Sequence, residues 1–134
     1  MKDLSIRPSP GKGRGVFAER DFAEGEVIER CPVLVLEGRY RPVFGRTVIG
    51  AYHFTWVQES EVVALPLGYG CIYNHSWTPN ADWVNLIRDN MMDFVAIRDI
   101  SAGEEVCTHY KYADDARPRW YEEASDQQPL SSDP

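Results

Sequence analysis

Apolar and polar residues alternate over short stretches of this chain, and almost nowhere do they recur at the three-and-four spacing of a helix. Val16-Phe17-Ala18 reads as a short strand, and Val27 to Leu36 as a strand or two, with Pro32 at a bulge or edge. Tyr52-His53-Phe54-Thr55-Trp56 is strongly β-forming, and Val62 to Leu65 is another short apolar run. Ala81 to Arg88 alternates weakly before the polar Asp89-Asn90, and the β pattern resumes at Phe94 to Ile97, which predicts a hairpin. Only Trp120 to Ala124 carries any helical periodicity. The pattern therefore predicts a mostly β chain with few, short helices.

Turn chemistry divides these runs. Glu37 to Gly50 places Gly38, Pro42, Gly45 and Gly50 among charged residues and reads as a loop or variable insert. Arg20-Asp21-Phe22-Ala23-Glu24-Gly25-Glu26-Val27 recurs loosely as Arg98-Asp99-Ile100-Ser101-Ala102-Gly103-Glu104-Glu105-Val106. Each copy is a charged turn closed by a glycine, which predicts two similar hairpin corners. From Ala113 the composition turns acidic, and Asp126 to Pro134, rich in Ser, Gln, Asp and Pro, is expected to be disordered.

Composition narrows the function classes. A chain of 134 residues is enough for one domain around a single core. Its formal charge of −7 argues against a broad nucleic-acid face and suits a basic peptide partner. No apolar run reaches the roughly 18 residues of a membrane span, and Met1 to Arg7 lacks the apolar core of a secretory signal, so a cytoplasmic location is expected. Cys31, Cys71 and Cys107 are odd in number and widely spaced, as buried thiols would be rather than a disulfide framework or a zinc site. His53, His75 and His109 show no ligand spacing, and no metal is expected.

Three stretches carry more chemistry than loops ordinarily do. Lys12-Gly13-Arg14-Gly15 leads into Val16-Phe17-Ala18; Leu67 to Ile72 leads into Tyr73-Asn74-His75-Ser76-Trp77-Thr78-Pro79-Asn80; and Gly103-Glu104-Glu105 runs on to Tyr110-Lys111-Tyr112. Singly each has a bland reading: a β-turn, a local side-chain turn, a half-buried strand tyrosine. The first is no phosphate-binding Walker loop, which needs Gly-x-x-x-x-Gly-Lys-Ser/Thr.

In their order and chemistry the three stretches together resemble the SET domain, the lysine methyltransferase fold that uses S-adenosylmethionine. The resemblance runs from about Arg7 to Tyr112. It implies a β-clip fold of several short sheets, with a pseudoknot-like C-terminal threading that sets the Asn74 and Tyr110 segments side by side. The SET domain would span 1–116 with its variable insert at about 37–66, followed by a short C-terminal segment and tail at 117–134.

The resemblance also assigns roles. Tyr110 is implied as the catalytic tyrosine. Lys12, Gly13, Arg14 and Gly15 would lie along the methionine end of the cofactor, with Asn74 contacting its amino-acid end and His75 its adenine, the latter chiefly through the backbone. Trp120 would stack on adenine, as an aromatic from a C-terminal helix does in some members; a lightly packed surface tryptophan is the competing reading. Tyr112 and Trp83 would line the substrate lysine channel. Where many members carry Phe or Tyr two residues before the catalytic tyrosine, this chain has Thr108, which leaves the degree of methylation open. Asn80 and Ser76 are expected to fix the loop.

The expected activity is transfer of a methyl group to the ε-amine of a lysine in a protein or peptide. The amine must be neutral to attack, and a free lysine titrates at about 10.4, so an aromatic, desolvating channel suits the chemistry. The small size and absent zinc segment resemble stand-alone bacterial or viral-type members, and a homodimer stays open. The rival reading is an inactive SET-like module that binds peptide or cofactor.

Overall fold

The computed structural model describes residues 2–57 and 61–110. Tyr112 and Trp120 lie outside the described residues. In chain order the elements are β1 (Leu4–Ser9), β2 (Gly13–Ala18), β3 (Val27–Leu36), the single-turn helix α1 (Arg41–Phe44), β4 (Phe54–Thr55), β5 (Val63–Pro66), β6 (Asn74–His75), β7 (Ala81–Leu86), β8 (Met91–Ala96) and β9 (Glu105–Thr108). The architecture is mostly β, as the hydrophobic pattern predicts. No described helix is long and apolar enough to cross a membrane.

The chain forms two compact units. The first comprises the described residues of Met1–Ile28, Ile72–Asp82 and Val95–Pro134; the second comprises those of Glu29–Cys71 and Trp83–Phe94.

In the first unit β1 and β2 make an antiparallel hairpin in which Leu4 faces Ala18 and Ser9 faces Gly13. The turn between them needs left-handed backbone at Gly11 (φ 77°) and Gly13 (φ 78°), conformations open to glycine at little cost. β9 is the hub. It runs antiparallel to β2, with Val16 opposite Val106, and parallel to β6, with Asn74 opposite Cys107 and His75 opposite Thr108. The first residue of β7, Ala81, also pairs with Thr108. Leu4, Val16, Ala18, Phe22, Ile100 and Val106 are buried and form its apolar interior.

The repeated corners bind each other. Phe22 and Ile100 form an isolated antiparallel bridge, each N–H donating to the other's carbonyl at 2.8 Å. The Asp21 carboxylate accepts the Ala102 N–H at 2.8 Å, and in the matching position Asp99 accepts the Glu24 N–H at 2.9 Å. Glu26 caps its own turn at the Ala23 N–H (3.1 Å) and Glu104 does so at Ser101 (2.6 Å). Gly25 (φ 86°) and Gly103 (φ 95°) close the two turns, donating to the Ala96 and Ala18 carbonyls at 2.8 Å each. Exchanging the two corners preserves this bonding pattern, so the internal repeat is structural.

In the second unit the strand order is β7-β8-β3-β5-β4. β3 is one ten-residue strand that accommodates Pro32, whose carbonyl accepts the Leu67 N–H at 2.8 Å. The β7–β8 hairpin turns through a 3-10 segment, Ile87–Asp89, and Asn90 in the left-handed region (φ 52°). Arg30 grips Asp93 with two parallel hydrogen bonds of 2.7 and 2.8 Å, and Phe54 meets the rings of Trp83 and Phe94 edge to face.

Two expectations are corrected here. The β-forming run Tyr52 to Trp56 yields only Phe54–Thr55 as strand. Tyr52 is spent closing a 3-10 turn, and the Thr55 and Trp56 carbonyls accept from the Asn85 side chain at 3.0 and 3.1 Å. Glu37 to Gly50 holds three short helical turns rather than plain loop: a 3-10 turn at Gly38–Tyr40, α1 with Pro42 in its first turn, and a 3-10 turn at Val48–Ala51. The Thr47 hydroxyl caps the last by accepting the Ile49 N–H at 3.2 Å.

Candidate functional site

The first unit gathers the chemistry-bearing residues around β6 and β9. Asn74 is buried and opposite Cys107, and its side-chain NH2 makes two bonds: to the Arg14 carbonyl at 2.9 Å and to Glu105 Oε2 at 2.7 Å. The other carboxylate oxygen of Glu105 accepts the hydroxyl of buried Ser9 at 2.7 Å. The Glu105 carboxylate of β9 thus ties β1 to β6, and the Asn74 amide carries the link on to Arg14 of β2. Gly15 lies against this junction so closely that an added Cβ would sit 2.2 Å from Glu105 Oε2 and 2.9 Å from Asn74 Nδ2.

His75, fully buried, follows Asn74. Its Nδ1 accepts the Tyr110 N–H at 3.1 Å, which in the neutral ring puts the proton on Nε2. The ring sits edge-on to Trp77 (4.5 Å), His109 (4.9 Å) and Tyr110 (5.2 Å). Tyr110 itself is half-buried, and its hydroxyl donates to the Tyr73 carbonyl at 2.8 Å. That bond fixes the direction of the phenol proton.

Asn80 works as a strand surrogate. Its Nδ2 donates to the Glu105 carbonyl at 2.8 Å and its Oδ1 accepts the Cys107 N–H at 2.9 Å, which fixes the loop to β9. The Ser76 hydroxyl accepts the Thr78 N–H at 3.0 Å and closes a local turn. Thr108 is fully buried, and among the described residues its hydroxyl has no hydrogen-bond partner.

Comparison with known proteins decides the family. The family model of the SET domain matches residues 13–111. A Schizosaccharomyces pombe protein named as a histone-lysine N-methyltransferase specific for H3 lysine-37 is 34% identical over 108 residues, covering 80% of this chain and 72% of the relative. The chain belongs to the SET domain family.

A Plasmodium falciparum variant-silencing SET domain-containing protein is 31% identical over 128 residues, which is 84% of this chain but 5% of that much longer protein. A crystal structure of a Plasmodium falciparum protein provisionally assigned as a histone methyltransferase superposes with a TM-score of 0.68 at 27% identity, covering 85% of this chain and 97% of that one.

Within this SET domain the implied site residues fall as follows. Arg14, Gly15 and Asn74 are in one hydrogen-bonded cluster, and His75 and Tyr110 share a bond beside it. Lys12 and Gly13 belong to the turn and start of β2 leading to that cluster. Trp83 lies in the second unit, edge-on to Phe54 at 4.9 Å. Among the described residues no group of His, Cys, Asp or Glu is placed to hold a metal, and Cys31, Cys71 and Cys107 form no disulfide.

The cluster also contains residues that sequence reasoning gave no role: Ser9, Tyr73 and Glu105. Glu105 left a signal, because it is the carboxylate that enters a strand otherwise made of Val106, Cys107 and Thr108. Ser9 and the Tyr73 carbonyl left none.

Proposed function

We propose that this SET domain is an S-adenosylmethionine-dependent methyltransferase acting on the ε-amine of a lysine in a protein. The observation that carries the reading is the Tyr110 hydroxyl, held by the Tyr73 carbonyl at 2.8 Å while its backbone is pinned to His75, next to the Asn74 cluster. An in-line methyl transfer asks for placement above all, and a phenol oxygen fixed at both ends of its residue supplies placement.

The residues fit the cofactor's amino-acid end. Asn74 has both amide hydrogens engaged by acceptors, so its Oδ1 is the atom left to receive an ammonium donor. Gly15 lets Glu105 and Asn74 pack into the space a Cβ would take, which holds the Asn74 amide in place beside the turn. When bound, S-adenosylmethionine would supply an electrophilic sulfonium methyl. Tyr110 would orient the incoming amine through its fixed phenol oxygen, while Lys12 to Gly15 and the Asn74-His75 strand hold the other side of the site.

The substrate class rests on the relatives. A fungal relative named for H3 lysine-37 makes a histone tail the first substrate to try, and its basic character suits an acidic chain. The test is titration calorimetry with S-adenosylmethionine and its demethylated product, followed by transfer of labelled methyl groups to purified histones and to whole-cell protein. Saturable binding plus label on lysine supports the enzyme. Binding without transfer to any protein would favour the binding-module reading, and no binding of either ligand at millimolar concentration would overturn the cofactor assignment.

A further inference from the structure

The Asn74 amide can face only one way round. Its NH2 contacts two acceptors, the Arg14 carbonyl and Glu105 Oε2, at 2.9 and 2.7 Å. Turning the amide over would set Oδ1 against both, replacing two hydrogen bonds by two repulsions. Of these two acceptors the Arg14 carbonyl is main chain, and Glu105 is the one that sequence can vary. Its position is itself secured, because Oε1 takes the hydroxyl of buried Ser9 at 2.7 Å, and Oε2 fits against Gly15 only because that residue has no Cβ.

We infer that Glu105 is a positioning residue of the cofactor site: its carboxylate sets the facing of the Asn74 amide, so that Oδ1, rather than NH2, is presented to the ligand. The inference rests on the methyltransferase reading and adds a consequence for specificity. A site presenting an acceptor selects a donor, the ammonium at the amino-acid end of the cofactor, and disfavours an anionic group in that place. Without Glu105 the Arg14 carbonyl alone has to hold the amide.

The test separates ligands with and without that end. Wild-type, Glu105→Ala and Glu105→Gln proteins are titrated with S-adenosylhomocysteine, which carries the amino-acid end, and with 5′-methylthioadenosine, which lacks it. Glu105→Ala is expected to weaken S-adenosylhomocysteine by about tenfold, roughly the worth of one charge-assisted hydrogen bond, and to change 5′-methylthioadenosine by less than about twofold. Glu105→Gln is expected to restore most of the loss, since its amide oxygen can accept from Asn74 while its NH2 donates to Ser9.

If Glu105→Ala weakens both ligands equally, or neither, the positioning role is overturned while the cofactor site stands. If the wild-type protein binds neither ligand, the cofactor reading fails and takes this inference with it. Should Glu105→Ala not fold, Ser9→Ala carries the same comparison: a loss confined to S-adenosylhomocysteine supports the role, and an equal loss on both overturns it.

Discussion

The Tyr110 hydroxyl donates to the main-chain carbonyl of Tyr73 at 2.8 Å, joining two segments 37 positions apart in the chain. Both segments belong to the first unit, where the β6–β9 pairing already aligns Asn74 with Cys107 and His75 with Thr108. The bond directs the phenol proton to the protein and fixes where the phenol oxygen sits. Tyr110→Phe removes that oxygen and little else, because the His75 contact is to the Tyr110 backbone N–H. Methyl transfer is expected to fall by about 100-fold or more, with cofactor affinity held within about twofold. Full activity in the variant, measured with labelled cofactor, would remove Tyr110 from the chemistry.

The strands and the doubled corner were legible in the sequence because alternation and glycine-closed turns are local signals. The segments placed together at the site were legible only through three motifs taken jointly. What stayed hidden depended on partners far along the chain: Ser9 meets Glu105 across 96 positions, and nothing local to either announces it. The short helical turns between Glu37 and Ala51 went unseen for a different reason. They are three or four residues long, too short to express a 3.6-residue period, and they are held by Pro42, the Thr47 cap and the buried Phe44.

The reciprocal capping of the corners makes a stability prediction. Asp21 satisfies a backbone N–H of the second corner, and Asp99 one of the first. Asp21→Ala and Asp99→Ala should each cost about 0.5–2 kcal/mol, the range for losing a side-chain cap. Because both caps flank the same Phe22–Ile100 bridge, the double variant is expected to depart from the sum of the singles. Urea denaturation of the four proteins measures this; strict additivity would mean that the corners act independently.

Thr108 makes a prediction of opposite sign. Its buried hydroxyl has no hydrogen-bond partner among the described residues, and an unsatisfied buried polar group is a cost. Thr108→Val keeps the shape and removes the hydroxyl, so stability should be unchanged or higher by about 1 kcal/mol. A gain in melting temperature accompanied by altered methyl transfer would show a hydroxyl retained for function at the expense of stability. A loss greater than about 1 kcal/mol would instead show that it is engaged.

The thiols of the second unit predict how stability depends on pH on the alkaline side. Burial pushes the Cys71 thiol up to about 11, and burial followed by the nearby Glu29 carboxylate pushes Cys31 higher still. In the unfolded chain both thiols ionise near the ordinary value, about 8.5. Above that point the unfolded state has released protons that the folded state retains, so rising pH favours unfolding. The stabilisation is fully present below the unfolded value and is lost as pH climbs toward about 11 for Cys71, and beyond it for Cys31. Lysines and tyrosines titrate in the same range, so the decisive quantity is the difference between wild type and Cys31→Ala. Urea midpoints measured from about pH 8 to 10.5 should fall less steeply in the variant. Parallel slopes would mean that Cys31 ionises alike in both states and is not shielded by the fold.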